Sequence, residues 1–501
     1  MSDLSIDRDD VTSRRHSALA MDASVFRSLG HQLVDQLASL LDGVPSGPVT
    51  RERTPTGVRQ ALGLTGPLPE DGEAAGPLLE RTARLLFEQS LFNAHPRFFG
   101  YITASPAPIG ILGDFLASAL NPNVGAWALS PAATEIESQA IRWIASLIRY
   151  DTACGGIFVS GGNMANIVCF LAARAAKASW SVREQGVAGS ARQLRVYCSA
   201  ETHTWIQKAA DLSGLGTASI RWIPSDSALR MDAELLRKHI DADLAAGDLP
   251  FLVVGTAGSV STGAIDPLPE LRAVCTTYGL WFHVDAAYGG FANVLPDAPD
   301  DLRGLSGADS VAVDPHKWLY APLEAGCALV RDAESLRVAF AYHPPYYHFG
   351  ETATNFVDFG VQNSRGFRAL KVWLALKQVG ASGYRAMIAD DIRLSGTLAQ
   401  AVARHSELEL ISQSLSITVF RYVPADLRAR RGEAEAEQQL DAINREVLDR
   451  LQRGGEVFVS NAVVGGRYAL RACIVNFHTT EADVNAVPDI VVRVGRGVEW
   501  R

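Results

Sequence analysis

Two short stretches of the sequence carry residues that could perform chemistry at the ends of predicted strands. VDPHKWLY at 313–320 contains Lys317, and LWFHVDAAY at 280–288 contains Asp285 at the end of an apolar run. Pro315 ends strand pairing because it has no N–H to donate. An ammonium group in apolar surroundings needs a counter-charge or a covalent role. A lysine that extends to solvent explains VDPHKWLY better when that stretch is taken alone.

The two stretches together favour a shared site. Asp285 alone is typical of a turn or helix-capping carboxylate. Ligands of parallel sheets bind at the carboxyl ends of the strands, so Asp285 and Lys317 would converge on one crevice. Pyridoxal phosphate (PLP) requires this pair, because a lysine amine forms a Schiff base with its aldehyde and a carboxylate keeps its pyridine nitrogen protonated. The pair therefore predicts a PLP site.

Two further features fit the same cofactor. Gly161, Gly162 and Asn163 join a predicted strand to a helix, where backbone N–H groups would surround a phosphate. A dinucleotide fold is the rival interpretation of such a turn, but the GxGxxG pattern is absent. His203 opens the next helix and could stack on the cofactor ring, although a capping or core histidine explains it equally well.

The composition is that of a globular protein and excludes several partners. The chain has 501 residues, 48% of them hydrophobic and 20% charged. The formal net charge of -9, with no long run of Lys or Arg, disfavours nucleic-acid and anionic membrane partners. The six cysteines lack the spacing of a metal site or disulfide framework, and no signal peptide or membrane span is evident. We expect a cytoplasmic protein without a metal.

The order of predicted elements indicates an α/β protein. Strands and helices alternate from residue 151 onward, which predicts a mainly parallel sheet with helices on both faces. Apolar residues at helical spacing predict a helix over 22–42 within an N-terminal helical segment, 1–105. A large domain is predicted over 106–380. Past residue 381 a long helix, a strand pair, a charged helix and terminal strands predict a small α+β domain, 381–501.

Seven segments in order resemble the group II PLP-dependent decarboxylases, in particular the family of aromatic L-amino acid decarboxylase. They are HPRFFGY, WALSPAATEIE, the SGGN turn, SAETH, HVDAAYGG, DPHKW and SRGFRALKVW. The resemblance implies the fold-type-I, aspartate aminotransferase-like architecture. It also implies that Lys317 is the Schiff-base lysine, that Asp285 pairs with the pyridine nitrogen and that His203 stacks on the ring. The other cofactor-binding residues that it implies are Gly161, Gly162, Asn163, Ala287 and His316.

Asp314 departs from the family pattern. Aromatic members often carry Asn before Pro-His-Lys, whereas this chain has Asp314 there. A carboxylate beside a phosphate would repel it, so we expect the Asp314 side chain to point away from the cofactor.

The segment AFAYHPPYY at 339–347 matches the mobile catalytic loop of the family. Tyr346 falls on the tyrosine of that loop, with Tyr347 adjacent to it. The resemblance implies that Tyr346 returns a proton to the substrate Cα after carbon dioxide leaves. An aromatic pair that packs a proline-stiffened loop is the structural alternative.

Four positions match the substrate pocket of the family: Tyr101, Ile102, Gly125 and Ser364. Aromatic members often carry Phe where Ile102 and Gly125 stand, which indicates a larger pocket that would admit an indole. Ser364 instead matches plant relatives that prefer phenolic substrates. Tryptophan, tyrosine and dopa all remain open.

The predicted activity is PLP-dependent decarboxylation of an aromatic L-amino acid to its amine by a homodimer. The N-terminal segment would pack on the partner subunit, as in relatives. The alternatives are a decarboxylase of glutamate or diaminobutyrate and an oxygen-using aldehyde synthase. A non-catalytic α/β binding protein is disfavoured, because the residues that the mechanism needs are present.

Overall fold

The computed structural model describes residue 17, residues 19–343 and residues 353–499. These residues divide into two compact units. The first comprises the described residues up to Gly47 together with Arg53–Leu91, and the second comprises Pro48–Glu52 and the described residues from Phe92 onward.

The first unit is helical. Its helices are α1 (Ala23–Gly43), α2 (Pro55–Ala61) and α3 (Ala75–Gln89). The helix predicted over 22–42 is confirmed as α1, which packs against α3. All of α1 lies within the described residues, and none of its side chains is buried. Helix α1 therefore contributes no residue to a hydrophobic core among the described residues.

A seven-stranded sheet forms the centre of the second unit. Its strands are β1 (Gly155–Val159), β2 (Leu194–Ser199), β3 (Ile220–Ile223), β4 (Leu249–Thr256), β5 (Trp281–Asp285), β6 (Ser310–Val313) and β7 (Gly326–Val330). They lie in the order β1-β7-β6-β5-β4-β2-β3. Strand β7 is antiparallel to both neighbours, and the other pairs are parallel. The predicted mainly parallel sheet is confirmed. Strands β1, β5, β6 and β7 are buried along their whole length, as expected of strands covered on both faces.

Helices precede, connect and follow these strands along the chain. They are α4 (Pro108–Leu120), α5 (Pro131–Leu147), α6 (Gly162–Lys177), α7 (Val182–Gln185), α8 (Trp205–Leu212), α9 (Ala233–Ala245), α10 (Leu268–Tyr278), α11 (Ala333–Phe340) and α12 (Ala369–Arg404). Within α12, Gly380 has a φ of 67°, a left-handed conformation that costs glycine little. The long C-terminal part of α12 packs against a second, smaller sheet.

That second sheet is antiparallel. Its strands are β8 (Leu408–Ser414), β9 (Ile417–Tyr422), β10 (Ser460–Val464) and β11 (Arg467–Cys473), in the order β10-β11-β9-β8, and the helices beside it are α13 (Ala434–Gly454) and α14 (Glu481–Arg496). The predicted strand pair and charged helix are confirmed.

The prediction that the chain finishes in strands is wrong, since α14 follows β11. Valines in α14 favour a strand pattern, but Thr480 and Asp483 form a capping box that begins the helix. No helix within residues 19–343 and 353–499 combines the length and apolarity needed to cross a membrane.

Candidate active site

A cavity of about 800 Å³ lies at the carboxyl ends of the large-sheet strands. It collects ten residues that the sequence had singled out: Tyr101, Ile102, Gly161, Gly162, Asn163, His203, Asp285, Ala287, His316 and Lys317. These residues come from segments spread over more than 200 positions of the chain, and the sheet topology brings them together.

Lys317 and Asp314 form an ion pair in this cavity. Lys317 follows β6, and its backbone N–H donates to the Asp314 carbonyl 2.9 Å away, which closes a turn. The turn places both side chains on the same side, with Lys317 Nζ 2.9 Å from Asp314 Oδ2. The prediction that Asp314 points away from the site is therefore wrong. Asp314 lines the cavity directly.

Asp285 ends β5 and is held by two donors. Trp205 Nε1 donates to Asp285 Oδ2 over 2.7 Å, and the Ala287 backbone N–H donates to Oδ1 over 3.2 Å. Hydrogen bonds from neutral donors stabilise the ionised carboxylate without cancelling its charge. Asp285 is buried, with 7% of its surface exposed, and it lines the cavity. Asp285 can therefore present negative charge to a bound group.

A neutral histidine lies behind Asp285 on the same strand. Burial lowers the pKa of His283 to about 4, although Asp285 acts in the opposite direction. Its ring nitrogens contact Ser310 Oγ at 2.9 Å and Asn166 Oδ1 at 2.7 Å. The Trp205 ring packs edge-on against the His283 ring. Since His283 stays uncharged near neutral pH, the negative charge of Asp285 is left for the cavity.

His203 lies two residues before Trp205, the first residue of α8. The Trp205 backbone N–H donates to His203 Nδ1 over 3.3 Å, which leaves Nε2 to carry the proton of a neutral ring. Burial lowers the pKa of His203, while Asp285 acts to raise it. A neutral imidazole that lines the cavity is suited to stack on a flat ring.

The glycine turn begins α6 beside Asp314. A Cβ at Gly162 would lie 2.6 Å from Asp314 Oδ2 and 3.0 Å from Ala287 Cβ, so only glycine fits there. A Cβ at Gly326 of β7 would likewise collide with the Gly161 backbone. The free N–H groups at the start of a 16-residue helix form an anion site. An amine, a carboxylate and this helix N-terminus fit the aldehyde, ring nitrogen and phosphate of PLP.

The structure adds Arg471 of β11 to the site, which the sequence reasoning missed. Arg471 lines the cavity although it is 2% exposed. Its Nη1 donates to the Tyr101 carbonyl at 3.0 Å and to Ser460 Oγ at 3.1 Å. Its Nε and Nη2 atoms have no hydrogen-bond partner among the described residues. The signal in the sequence is a charged residue inside the apolar strand RYALRAC.

Glu201 is a second missed residue. It lines the cavity within the SAETH segment, and burial raises the pKa of its carboxyl.

Two predicted residues are not brought into this cavity, and a third lies outside the described residues. Gly125 and Ser364 do not line it, and a side chain at Gly125 would meet the Asn363 carbonyl. Tyr346 lies outside the described residues, as does Tyr347.

Known proteins are similar to this chain in sequence and in fold. A model of the pyridoxal-dependent decarboxylase conserved domain matches residues 59–423. An aromatic-L-amino-acid decarboxylase from Bacillus atrophaeus is 31% identical over 471 residues, 93% of this chain and 94% of that protein. A phenylacetaldehyde synthase from a Rosa hybrid cultivar is 28% identical over 92% of each chain. The crystal structure of Oryza sativa TDC with PLP and tryptamine has a TM-score of 0.88 at 28% identity, covering 96% of this chain and 99% of that one.

The chain belongs to the pyridoxal-dependent decarboxylase family. It is a PLP-dependent carboxy-lyase with the fold-type-I architecture. The family, fold type, cofactor and enzyme class predicted from the sequence are thereby confirmed.

Proposed function

We propose that this enzyme decarboxylates an aromatic L-amino acid, releasing carbon dioxide and the corresponding amine. The observation that carries the proposal is that Lys317, Asp285 and Arg471 line the same cavity. The aromatic choice is supported by the names of the Bacillus atrophaeus relative and of the rice protein's bound tryptamine.

The cofactor would be held by residues that follow four strands of the large sheet, β1, β2, β5 and β6. PLP, when bound, supplies an aldehyde that condenses with amines and a ring that withdraws electrons. Lys317 would bind the aldehyde carbon, and the α6 N-terminus at Gly161, Gly162 and Asn163 would bind the phosphate. His203 and Ala287 would contact the two faces of the ring.

Asp285 would keep the ring nitrogen protonated. Its charge is supported by the Trp205 and Ala287 donors and is not neutralised by a basic side chain in contact with it among the described residues. A positive ring nitrogen is what makes the ring a strong electron acceptor. The carboxylate is therefore the residue on which loss of carbon dioxide depends electrostatically.

Arg471 would orient the substrate through its carboxylate. A guanidinium binds a carboxylate with two parallel hydrogen bonds, and the buried Nε and Nη2 atoms of Arg471 have no partner within the described part of the chain. Tyr101 and Ile102, which line the same cavity, would contact the substrate side chain. We include Gly125 and Ser364 as specificity positions only on the strength of the family resemblance.

Tyr346 would return a proton to Cα after carbon dioxide leaves, which favours an amine product over an aldehyde. His316 would assist at the phosphate or the substrate carboxylate. The proposal also includes a cytoplasmic homodimer in which the segment 1–105 packs on the partner, with the large domain at 106–380 and the small domain at 381–501.

A second candidate is an acidic amino acid as substrate. The two unpartnered nitrogen atoms of Arg471 would equally suit a side-chain carboxylate. The test is incubation of the purified enzyme with tryptophan, tyrosine, dopa, glutamate and diaminobutyrate. Carbon dioxide and amine from an aromatic substrate support the proposal. Aldehyde, ammonia and peroxide would indicate an aldehyde synthase, and turnover of glutamate alone would contradict the aromatic assignment.

A further inference from the structure

Thr256 carries a buried hydroxyl group that the fold does not use. It ends β4, lines the cavity and is 5% exposed, and its Oγ1 atom has no hydrogen-bond partner among the described residues. Its backbone groups are satisfied without that oxygen. The Thr256 N–H donates to Asp266 Oδ2 over 2.8 Å, and the Asp266 N–H donates to the Thr256 carbonyl over 2.9 Å.

The shape of Thr256 does not explain the hydroxyl. A β-branched side chain favours a strand, but valine has the same shape. A buried hydroxyl without a partner lowers stability relative to valine, because it has lost its hydration. The Oγ1 atom of Thr256 is therefore available to a ligand in the cavity.

The strand register places Thr256 beside Asp285. The two residues are Cα partners in the parallel pair of β4 and β5. Side chains of such partners project from the same face of a sheet, and the strands lie about 4.8 Å apart. On its other side Asp285 pairs with Ala312 of β6, which has no polar side-chain atom. Thr256 is thus the polar neighbour of Asp285 in this row of the large sheet.

The order of the strands determines which edge of the cofactor ring faces Thr256. In PLP the phosphate arm and the ring hydroxyl lie on opposite sides of the line from the ring nitrogen to the aldehyde carbon. The glycine turn that fits the phosphate follows β1, which lies on the same side of β5 as β7 and β6. Strand β4 lies on the other side of β5. With the ring nitrogen at Asp285, the ring hydroxyl therefore lies on the side of Thr256.

We propose that Thr256 is a cofactor-binding residue whose hydroxyl donates a hydrogen bond to the oxygen of the ring hydroxyl. The α6 N-terminus then holds one edge of the ring through the phosphate, Asp285 holds the nitrogen, and Thr256 holds the opposite edge. The inference rests on the cofactor placement in the proposed function, with the ring nitrogen at Asp285 and the phosphate at the start of α6.

Thr256 is better placed for this role than the carboxylate on the same side of the cavity. Glu201 follows β2, which lies beyond β4 as seen from Asp285. Glu201 is also partly exposed, so solvent can satisfy its carboxyl, whereas the Thr256 oxygen is buried.

The experiment uses the full-length apoenzyme and two probes. Pyridoxamine 5'-phosphate has no aldehyde, so its Kd reports non-covalent binding alone. The second probe is the same compound without the ring hydroxyl, and calorimetry gives a Kd for each. Thr256→Val keeps the side-chain shape and removes the hydroxyl. We expect it to lower the preference for the hydroxylated probe roughly tenfold relative to wild type. Thr256→Ser keeps the hydroxyl and should preserve most of that preference.

Thr418 of β9 provides the matched control. It is a buried strand threonine whose hydroxyl donates to the Ser395 carbonyl over 3.0 Å. Thr418→Val should lower the melting temperature of the apoenzyme and leave the preference between the probes unchanged. Thr256→Val should leave the melting temperature unchanged or raise it, because its hydroxyl has no partner to lose.

Three outcomes would overturn the assignment or its premise. If the preference between the probes in Thr256→Val stays within threefold of wild type, the ring hydroxyl binds another group. A melting temperature of the Thr256→Val apoenzyme lowered as much as that of Thr418→Val would show that the hydroxyl has a structural role. Asp285→Asn should weaken the binding of both probes, because it removes the charge that keeps the ring nitrogen protonated. If both affinities are unchanged, the ring nitrogen does not lie at Asp285, and the cofactor placement in the proposed function fails before Thr256 is considered.

Discussion

Arg471 offers the sharpest test of how this enzyme recognises its substrate. It is a buried guanidinium on β11 that lines the cavity with two nitrogen atoms unpartnered among the described residues. Arg471→Gln removes the charge and the fork, while one amide donor remains for the Tyr101 carbonyl. We expect the variant to fold and to load cofactor, but to bind the substrate carboxylate poorly.

The size of the effect follows from the number of hydrogen bonds. Each hydrogen bond to a charged group contributes about 1.5–3 kcal/mol, and Arg471 has two nitrogen atoms to offer. A combined loss of about 3 kcal/mol in transition-state binding corresponds to roughly a 10²-fold lower kcat/KM, since 1.36 kcal/mol is a factor of ten. Arg471→Lys keeps the charge without the fork and should lie between wild type and Arg471→Gln.

Arg421 on the neighbouring strand β9 provides the matched control. Its side chain is 1% exposed, but it pairs with Glu409 and Glu437 instead of a cavity. Arg421→Gln should lower the unfolding free energy and leave kcat/KM of the folded enzyme unchanged. The assay is steady-state amine production at several substrate concentrations, with cofactor absorbance as the measure of loading.

The substrate panel shows which carboxylate Arg471 binds. If it binds the α-carboxylate, every substrate loses kcat/KM in Arg471→Gln. If only glutamate is affected, Arg471 binds a side-chain carboxylate. A kcat/KM within threefold of wild type for all substrates would refute the idea that Arg471 touches substrate at all.

Four other changes test the site. Lys317→Ala should abolish amine production and the visible absorbance while circular dichroism shows an intact fold, and normal turnover would contradict its role. Asp285→Asn should retain cofactor by absorbance but lose most activity, because an amide cannot hold the ring nitrogen protonated; near-normal turnover would exclude an electrostatic role. Tyr346→Phe should lower the amine-to-aldehyde ratio under air, whereas a change only in Tyr347→Phe would move the donor by one residue. Burial raises the pKa of Asp391 to about 7, so its protonated form stabilises the fold at low pH, and this contribution is lost as pH rises from ~4 towards 7. Asp391→Asn should therefore flatten the fall of unfolding free energy over that range in denaturant titrations, and an unchanged slope would contradict the raised pKa.

The strand ends of the large sheet could be predicted because each is marked by the residues immediately around it. LWFHVDAAY and DPHKW both pair an apolar run with a residue that ends it, and parallel strands bring such ends to one edge. Asp285 and Lys317 were therefore expected to converge, and the structure places both on the cavity wall.

Contacts that depend on turn geometry, or on strands far apart in the chain, could not be predicted from the local sequence. The direction of Asp314 is set by the hydrogen bond between the Lys317 N–H and the Asp314 carbonyl, which no composition pattern reports. Arg471 is 154 positions from Lys317 in the chain and reaches the cavity because β11 pairs with β9 in the second sheet. The position of Arg471 at the cavity therefore follows from the tertiary structure and not from the local sequence.

The segment after Lys317 links these two sheets physically. Trp318 Nε1 and Tyr320 Oη both donate to Asp391 Oδ2, at 2.9 and 2.7 Å, and Asp391 belongs to α12. Tyr384 of the same helix donates to the Leu319 carbonyl.

Helix α12 continues from these contacts to β8 and β9 of the sheet that carries Arg471. A displacement of α12 would therefore move the lysine and the guanidinium relative to each other. Attachment of the cofactor needs only Lys317, whereas orientation of the substrate needs both Lys317 and Arg471. A substitution of Asp391 should therefore lower substrate turnover more than it lowers cofactor loading.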